Sequence, residues 1–265
     1  MHNFIYHRPD SMDGAVVAHG DAEDAVYLAG GQTLLPVLKQ RLAMPTDVVD
    51  LSRVPGMKDI AVVPNLLLIG AMTPHAAVAA SDKVRKAIPA LCALAECIGD
   101  PHVRNRGTIG GSIANNDPAA DYPAGLVGLN AAVQTDQRTI PADEFFTGMF
   151  ETALEDRELI TRIDFPIPEA AAYAKFPHPA SGFALVGVFV AKVPGGVRVA
   201  VTGAGACVFR VPEMEEALAE NFSAAALDGI TVSENGLNSD IHASPEYRAH
   251  LIGVLAGRAV AACGA

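Results

Sequence analysis

Thr108-Ile109-Gly110-Gly111-Ser112, followed closely by Asp117-Pro118 and Asp121-Tyr122-Pro123, is the stretch best suited to chemistry. A glycine pair beside small hydroxyl residues frees backbone N–H groups that can approach a phosphate closely, because no Cβ intervenes. Asp121 is spaced to take a hydroxyl or ring N–H of the same ligand. Far upstream, Ala29-Gly30-Gly31-Gln32-Thr33 has the same composition. The pair points to one ligand with two phosphates, held from two sides. Neither segment has G-x-G-x-x-G spacing or the Gly-Lys-Ser/Thr ending of a P-loop, so a Rossmann or NTPase reading is poor. Gly195-Gly196 lacks such neighbours and reads as a turn.

Other chemistry is sparse. Ser181-Gly182 has no G-x-S-x-G frame. The eight histidines show no metal-ligand spacing and read as surface or structural groups, His75 included. The four cysteines, Cys92, Cys97, Cys207 and Cys263, make no C-x-x-C pair. No zinc or iron–sulfur site is therefore expected in this chain, and no catalytic side chain is assigned. Cys92 and Cys97 are expected as buried thiols on an apolar helix.

The 265 residues are 50% hydrophobic, which suffices for a packed core in one large domain or two modest ones. A net charge of -11 without a basic stripe disfavours nucleic acid. No apolar run reaches membrane-spanning length uninterrupted. The N-terminus lacks the apolar segment of a secretory signal, so a cytoplasmic location is expected.

The elements that must position the glycine segments follow from periodicity and punctuation. Phe4 to Pro9 reads as an edge strand. Leu34, Leu35, Leu38 and Leu42 mark one face of a helix with Thr33 as N-cap. Residues 47–51 resume extended structure, and Leu66 to Gly70 reads as a buried strand. A helix is expected from about Ser81 to Ile98, kinked or restarted at Pro89 and stopped by Gly99 and Pro101. Thr108 to Asn115 reads as the second glycine loop, and Asp121 as the cap of a short helix. Ile160 to Phe165 is a strand closed by Pro166 and Pro168, where a domain boundary is placed. Beyond it, Phe183 to Val193 and Val197 to Thr202 read as a hairpin apolar on both faces, and hence covered on both sides. Ser244 and Pro245 open a C-terminal helix with Tyr247, Leu251, Val254 and Leu255 on one face.

With these residues in place, the chain resembles the medium, FAD-binding subunits of the molybdenum hydroxylases, the family of xanthine dehydrogenases and aerobic carbon monoxide dehydrogenases. The resemblance runs from Phe4–Pro9 through Leu28 to Pro36, Ile69 to Thr73 and Asp100 to Ser112, then on to Lys175-Phe176, Pro179 to Ala184 and Pro245 to Arg248. It implies an α+β chain: a two-subdomain FAD-binding domain of the vanillyl-alcohol-oxidase/PCMH type over 1–168 (1–54 and 55–168), then a smaller α+β domain over 169–265, an antiparallel sheet with helices.

The resemblance also implies roles. Ala29, Gly30, Gly31, Gln32, Thr33 and Leu34, with Thr108, Ile109, Gly110, Gly111 and Ser112, would hold the FAD pyrophosphate. Asp121 would contact the cofactor. Ile98 and Ile160 would rest near the flavin ring, and Lys175 would reach the cofactor. Molybdopterin would sit on a large partner subunit and two 2Fe–2S clusters on a small one, in a dimer of heterotrimers. The FAD of this chain would take electrons from the clusters and pass them to a terminal acceptor. Two other readings stand beside this one: a non-redox flavin-binding assembly or sensor module, and a stand-alone FAD oxidase.

Overall fold

Val48 and Val49 are buried on a strand, Asp47–Asp50, that pairs in parallel with Ile5–His7 on one side and Ala25–Leu28 on the other. This three-stranded sheet is the first of three larger sheets in the computed structural model, which describes residues 1–263; a two-stranded pair, Phe146–Gly148 with Glu151–Thr152, is a fourth. Its connections are the helix Met12–Gly20, capped by the Ser11 hydroxyl accepting from the Gly14 amide, and the short helix Leu34–Lys39. That second helix ends before Leu42, which is 73% exposed and not on its apolar face as expected. Thr33 does stand at its N-cap, but its side chain makes no capping bond.

The second sheet is antiparallel and five-stranded. Ile160–Pro166 lies at its centre, between Leu66–Gly70 and Ala132–Thr135, with Ile60–Val63 and Thr139–Pro141 outermost. A layer of helices covers it. Over 81–98 the helix restarts at Pro89, one of the two outcomes expected: Asp82–Ala87 ends at Ile88, and Pro89 opens Pro89–Glu96, since a proline lacks the N–H an interior turn requires but fits a first turn. Pro101 likewise starts a helix, Pro101–Arg106, instead of only stopping one; the Asp100 carboxylate caps it by accepting from the Val103 amide at 2.9 Å. Cys92 is buried as expected, whereas Cys97, just past the end of its helix, is exposed.

The third sheet is built on the hairpin Ala184–Val193 and Gly196–Thr202, flanked by Ala170–Pro177 and Phe209–Arg210. Its two-sided apolar pattern holds. Phe189, Ala191 and Ala200 join the core shared with the second sheet and its helices. Val186, Val188, Val190, Val199 and Val201 point the other way, into a second core with the helices Pro212–Glu220 and Pro245–Cys263. Ser244 caps the last helix by accepting from the Tyr247 amide. The buried face of that helix runs through Arg248, Leu251, Ile252, Leu255, Ala256, Ala259 and Val260, so Tyr247 and Val254 lie off it.

Phe189 is the joint between the sheet and the helix Tyr122–Gly128. A Cβ on Gly128 would stand 2.7 Å from its ring, so only glycine lets the helix backbone settle there. Phe189→Ala is expected to destabilise the FAD-free chain by about 3–5 kcal/mol, read as a lower urea midpoint.

Glu158 closes the rim of the second sheet. It accepts from Arg138 at 2.9 and 3.0 Å, from Thr135 at 2.7 Å and from the Glu155 amide at 2.8 Å. The Arg138 guanidinium, against the cost of burial, holds its carboxyl down at about 2. A folded-state value below the unfolded one gives stability that is whole above the ordinary carboxylate range and is lost as pH falls through it toward about 2. The Glu158→Gln chain should show a flatter acid limb in urea titrations at stepped pH; an identical limb would remove Glu158 from this role.

Candidate functional site

The two glycine segments meet. A Cβ on Gly30 would lie 2.0 Å from the Arg106 carbonyl oxygen and 2.8 Å from the Cα of Gly107, so backbone packs on backbone there. Beside this contact, a Cβ on Gly111 would stand 3.5 Å from that of Ala29. The segments thus form adjoining walls, as their shared composition suggested.

Their backbones are in opposite states. Among the described residues, the amides of Gly30, Gly31, Gln32 and Thr33 donate no hydrogen bond within the chain. Gly31 has φ +74°, a conformation that favours glycine and turns successive amides toward one side. Gln32 and Thr33 are exposed. This run of unspent donors can bind an anion. The second segment is not a loop but the first turn of the helix Ile109–Asn115. Its amides from Ile109 to Ser112 are spent: Ile109 donates to the Thr73 carbonyl, Gly110 to the Ala71 carbonyl, Gly111 to the Thr108 hydroxyl and Ser112 to the Thr108 carbonyl. Gly110 is needed for packing, since its Cβ would fall 2.6 Å from the Cβ of Ala71. What this segment presents at the surface is the bare Cα of half-buried Gly111 and the Ser112 side chain.

His75 lies directly behind the junction. Its amide donates to the Gly107 carbonyl, and its ring fills the space a Gly107 side chain would take. Burial, reinforced by Arg104, pushes its pKa down to about 4 and keeps the ring neutral. Its Nδ1, the Thr73 hydroxyl and the Tyr122 hydroxyl are buried without a hydrogen-bond partner.

Asp121 does not cap its helix. Its carboxylate accepts from the Tyr173 hydroxyl at 2.5 Å and from Lys175 Nζ at 3.0 Å, and Lys175 donates also to the Cys97 carbonyl at 3.0 Å. Asp121 and Lys175 are both almost wholly buried. Burial pushes the Asp121 carboxyl up, and the charge of Lys175 and the Tyr173 hydrogen bond oppose that rise. Lys175 thereby joins Asp121 to the chain just before half-buried Ile98, whose own carbonyl accepts from Arg104. Ile160 is 5% exposed and packed in the main core. Its neighbour Thr161 accepts from the Ala71 amide, which places that strand beneath Gly110. No hydrogen bond joins the Asp121 group to either glycine segment among the described residues.

Sequence reasoning missed Tyr173 and Gly107, while His75 has the structural role expected of it. Tyr173 was findable: residues two apart on a strand share a face, so it points where Lys175 points. The contact of Gly30 with Arg106 and Gly107 left no local trace.

The residues present fit a dinucleotide cofactor: a run of free amides around a positive-φ glycine, a side-chain-free wall at Gly111, and a buried charged pair at the adjoining seam.

Comparison with known proteins agrees with that geometry. Residues 2–168 match the family described as the FAD binding domain in molybdopterin dehydrogenase. The chain is 36% identical to the nicotine 6-hydroxylase medium subunit of Paenarthrobacter nicotinovorans, over 98% of this chain and 97% of that one. It is 33% identical to the carbon monoxide dehydrogenase medium chain of Hydrogenophaga pseudoflava, over 99% and 97% respectively. The solved carbon monoxide dehydrogenase from Oligotropha carboxidovorans superposes with a TM-score of 0.90 at 32% identity, over 98% of this chain and 97% of that one. The α+β chain therefore belongs to the FAD-binding medium subunits of the molybdenum hydroxylases and is an oxidoreductase subunit.

Proposed function

We propose that this chain is the electron-transfer flavoprotein of a three-chain molybdenum hydroxylase. In this reading a small subunit with two 2Fe–2S clusters delivers electrons, a large molybdopterin subunit hydroxylates the substrate, and the complex is a cytoplasmic dimer of heterotrimers. Bound FAD supplies the exchange between one-electron carriers and a terminal acceptor. The observation that carries the proposal is the run of unspent amides from Gly30 to Thr33, set against the Thr108–Ser112 wall. The medium chains named above, matched over nearly their whole length, support the multi-subunit setting.

Each residue then has a task. Ala29 to Leu34 bind the pyrophosphate through backbone N–H groups. Thr108, Ile109, Gly110, Gly111 and Ser112 close it from the other side, with Gly111 giving close approach and Ser112 a hydroxyl. Asp121 and Lys175 form a buried charged pair toward the cofactor, and Ile98 and Ile160 give apolar contact near the ring. Residues 1–54 and 55–168 are the two halves of the FAD-binding domain, and residues 169–265 are a further domain that supplies Lys175.

Two measurements test this. In the complex purified anaerobically from its native host, FAD that stays oxidised while the iron–sulfur clusters are reduced by the substrate would refute the electron-transfer role. Gly30→Ala would force the two segments apart, and is expected to weaken FAD binding to the isolated chain at least about tenfold, equivalent to 1.4 kcal/mol, in a fluorescence titration. Gly110→Ala should act differently, lowering the urea midpoint of the FAD-free chain, because its methyl would strike Ala71. Unchanged FAD affinity in a folded Gly30→Ala chain overturns the loop assignment.

A further inference from the structure

Tyr173 stands out among the titratable groups because the surrounding structure is shaped to admit its hydroxyl. On the strand Ala170–Pro177, Tyr173 pairs across the sheet with Phe189, and Lys175 pairs with Gly187. The tyrosine ring leans along the strand so that a Cβ on Gly187 would lie only 2.2 Å from its hydroxyl oxygen. Any side chain at that position would expel the hydroxyl. Glycine in the interior of a strand costs stability, so its presence marks a close approach. The approach ends on a single acceptor, Asp121, at 2.5 Å.

The bonding of the group is asymmetric. The Tyr173 hydroxyl takes one carboxylate oxygen of Asp121, while Lys175 donates to Asp121 and to the Cys97 carbonyl. An ammonium has three N–H donors, so two are used within the chain and one remains. The other titratable groups acting on this cluster are the thiol of Cys97, the hydroxyl of Tyr122 on the helix that Asp121 begins, Glu96 and Arg104, which act on Cys97, and Cys92, which acts on Tyr122. Nothing else supplies a hydrogen bond to the Asp121 side chain among the described residues.

We propose that Tyr173 is a positioning residue of the flavin site: its hydroxyl fixes the Asp121 carboxylate against Lys175 and so sets the net charge of that pair toward the cofactor. This rests on the reading of Asp121 and Lys175 as cofactor-facing groups. The Tyr173 hydrogen bond favours the ionised carboxylate beside Lys175. Without it, burial favours the neutral carboxylic acid, and protonation adds one positive charge to the pair. A cation beside a flavin favours the more negative, reduced cofactor, so loss of the hydroxyl raises the midpoint potential wherever Asp121 has taken up a proton.

The test is spectroelectrochemistry of the full-length, FAD-loaded chain at stepped pH, from acid to alkaline. Tyr173→Phe removes only the hydroxyl. It should keep its FAD content and melting temperature near the wild-type values, and the upward bend in its potential-against-pH curve should move at least about one pH unit higher. Gly187→Ala, which displaces the hydroxyl, should move the bend the same way. In an Asp121→Asn background, adding Tyr173→Phe should leave the curve unchanged, which a purely structural role would not require. Coincident curves for wild type and both single variants, at equal FAD content, overturn the proposal. A wild-type chain that binds no FAD would instead sink the cofactor reading beneath it.

Discussion

Backbone-to-backbone contact at glycine is the constraint on which the site depends. Gly30 rests on the Arg106 carbonyl and Gly107, Gly110 rests on Ala71, and Gly70 rests on the Met57 carbonyl. Each contact joins segments distant in sequence at a separation no Cβ permits. The first brings the two glycine segments face to face; the second seats the helix Ile109–Asn115 on the residue that follows the strand Leu66–Gly70. The consequence for chemistry is a division of labour between two look-alike sequences. One segment spends its amides on holding the fold, and the other leaves its amides free of hydrogen bonds within the chain. The donor-rich turn Gly30–Thr33 leans on the rigid backbone at Arg106 and Gly107, just before the Thr108–Ser112 turn.

The third sheet completes the same construction from the other side. Gly203 donates to the Pro118 carbonyl at 2.8 Å, and the Thr202 hydroxyl to the Ala120 carbonyl at 2.6 Å. Arg198 donates to the Val127 carbonyl and pairs with Asp143. The segment from Asp117 to Asp121 is therefore clasped largely by residues beyond 180, and Asp121 receives its bonds from Tyr173 and Lys175. The C-terminal sheet acts as a wall of the candidate site, and Phe189 locks that wall to the helix beneath.

Much of this was legible in the sequence where a local signal has one physical meaning. The apolar run at Leu66–Gly70, the two-faced hairpin around Gly195 and the Ser244-Pro245 helix start each read correctly. Errors arose where one residue type has two uses. Proline both ends helices and begins them, and Pro101 was distinguishable only by the Asp100 cap before it. Glycine pairs suggested loops, yet at Gly110-Gly111 the Thr108 cap and the Ala71 contact override a low helix propensity. The parallel pairing of Ile5–His7 and Ala25–Leu28 about Asp47–Asp50 left no trace in local periodicity. Neither did the meeting of Gly30 with Gly107, because such contacts are fixed by tertiary geometry alone.

The buried Asp121–Lys175 pair differs from the other ion pairs of the chain named above. Elsewhere the paired carboxylates sit at rims: Glu158 with Arg138, Glu215 with Arg210, Asp240 with Arg248, each pair having one member substantially open to water. Water offsets the cost of such pairs. Both members of the Asp121–Lys175 pair are within 5% of full burial, where desolvation can exceed the attraction and an apolar pair would fold as well. A tyrosine hydroxyl, a glycine that admits it and a helix-end carbonyl at Cys97 are all committed to satisfying this pair. So much satisfied polarity in a seam otherwise built of valine, alanine and phenylalanine is poorly explained by folding alone. It is well explained by an ion pair held at a fixed place beside the FAD that the proposed function calls for.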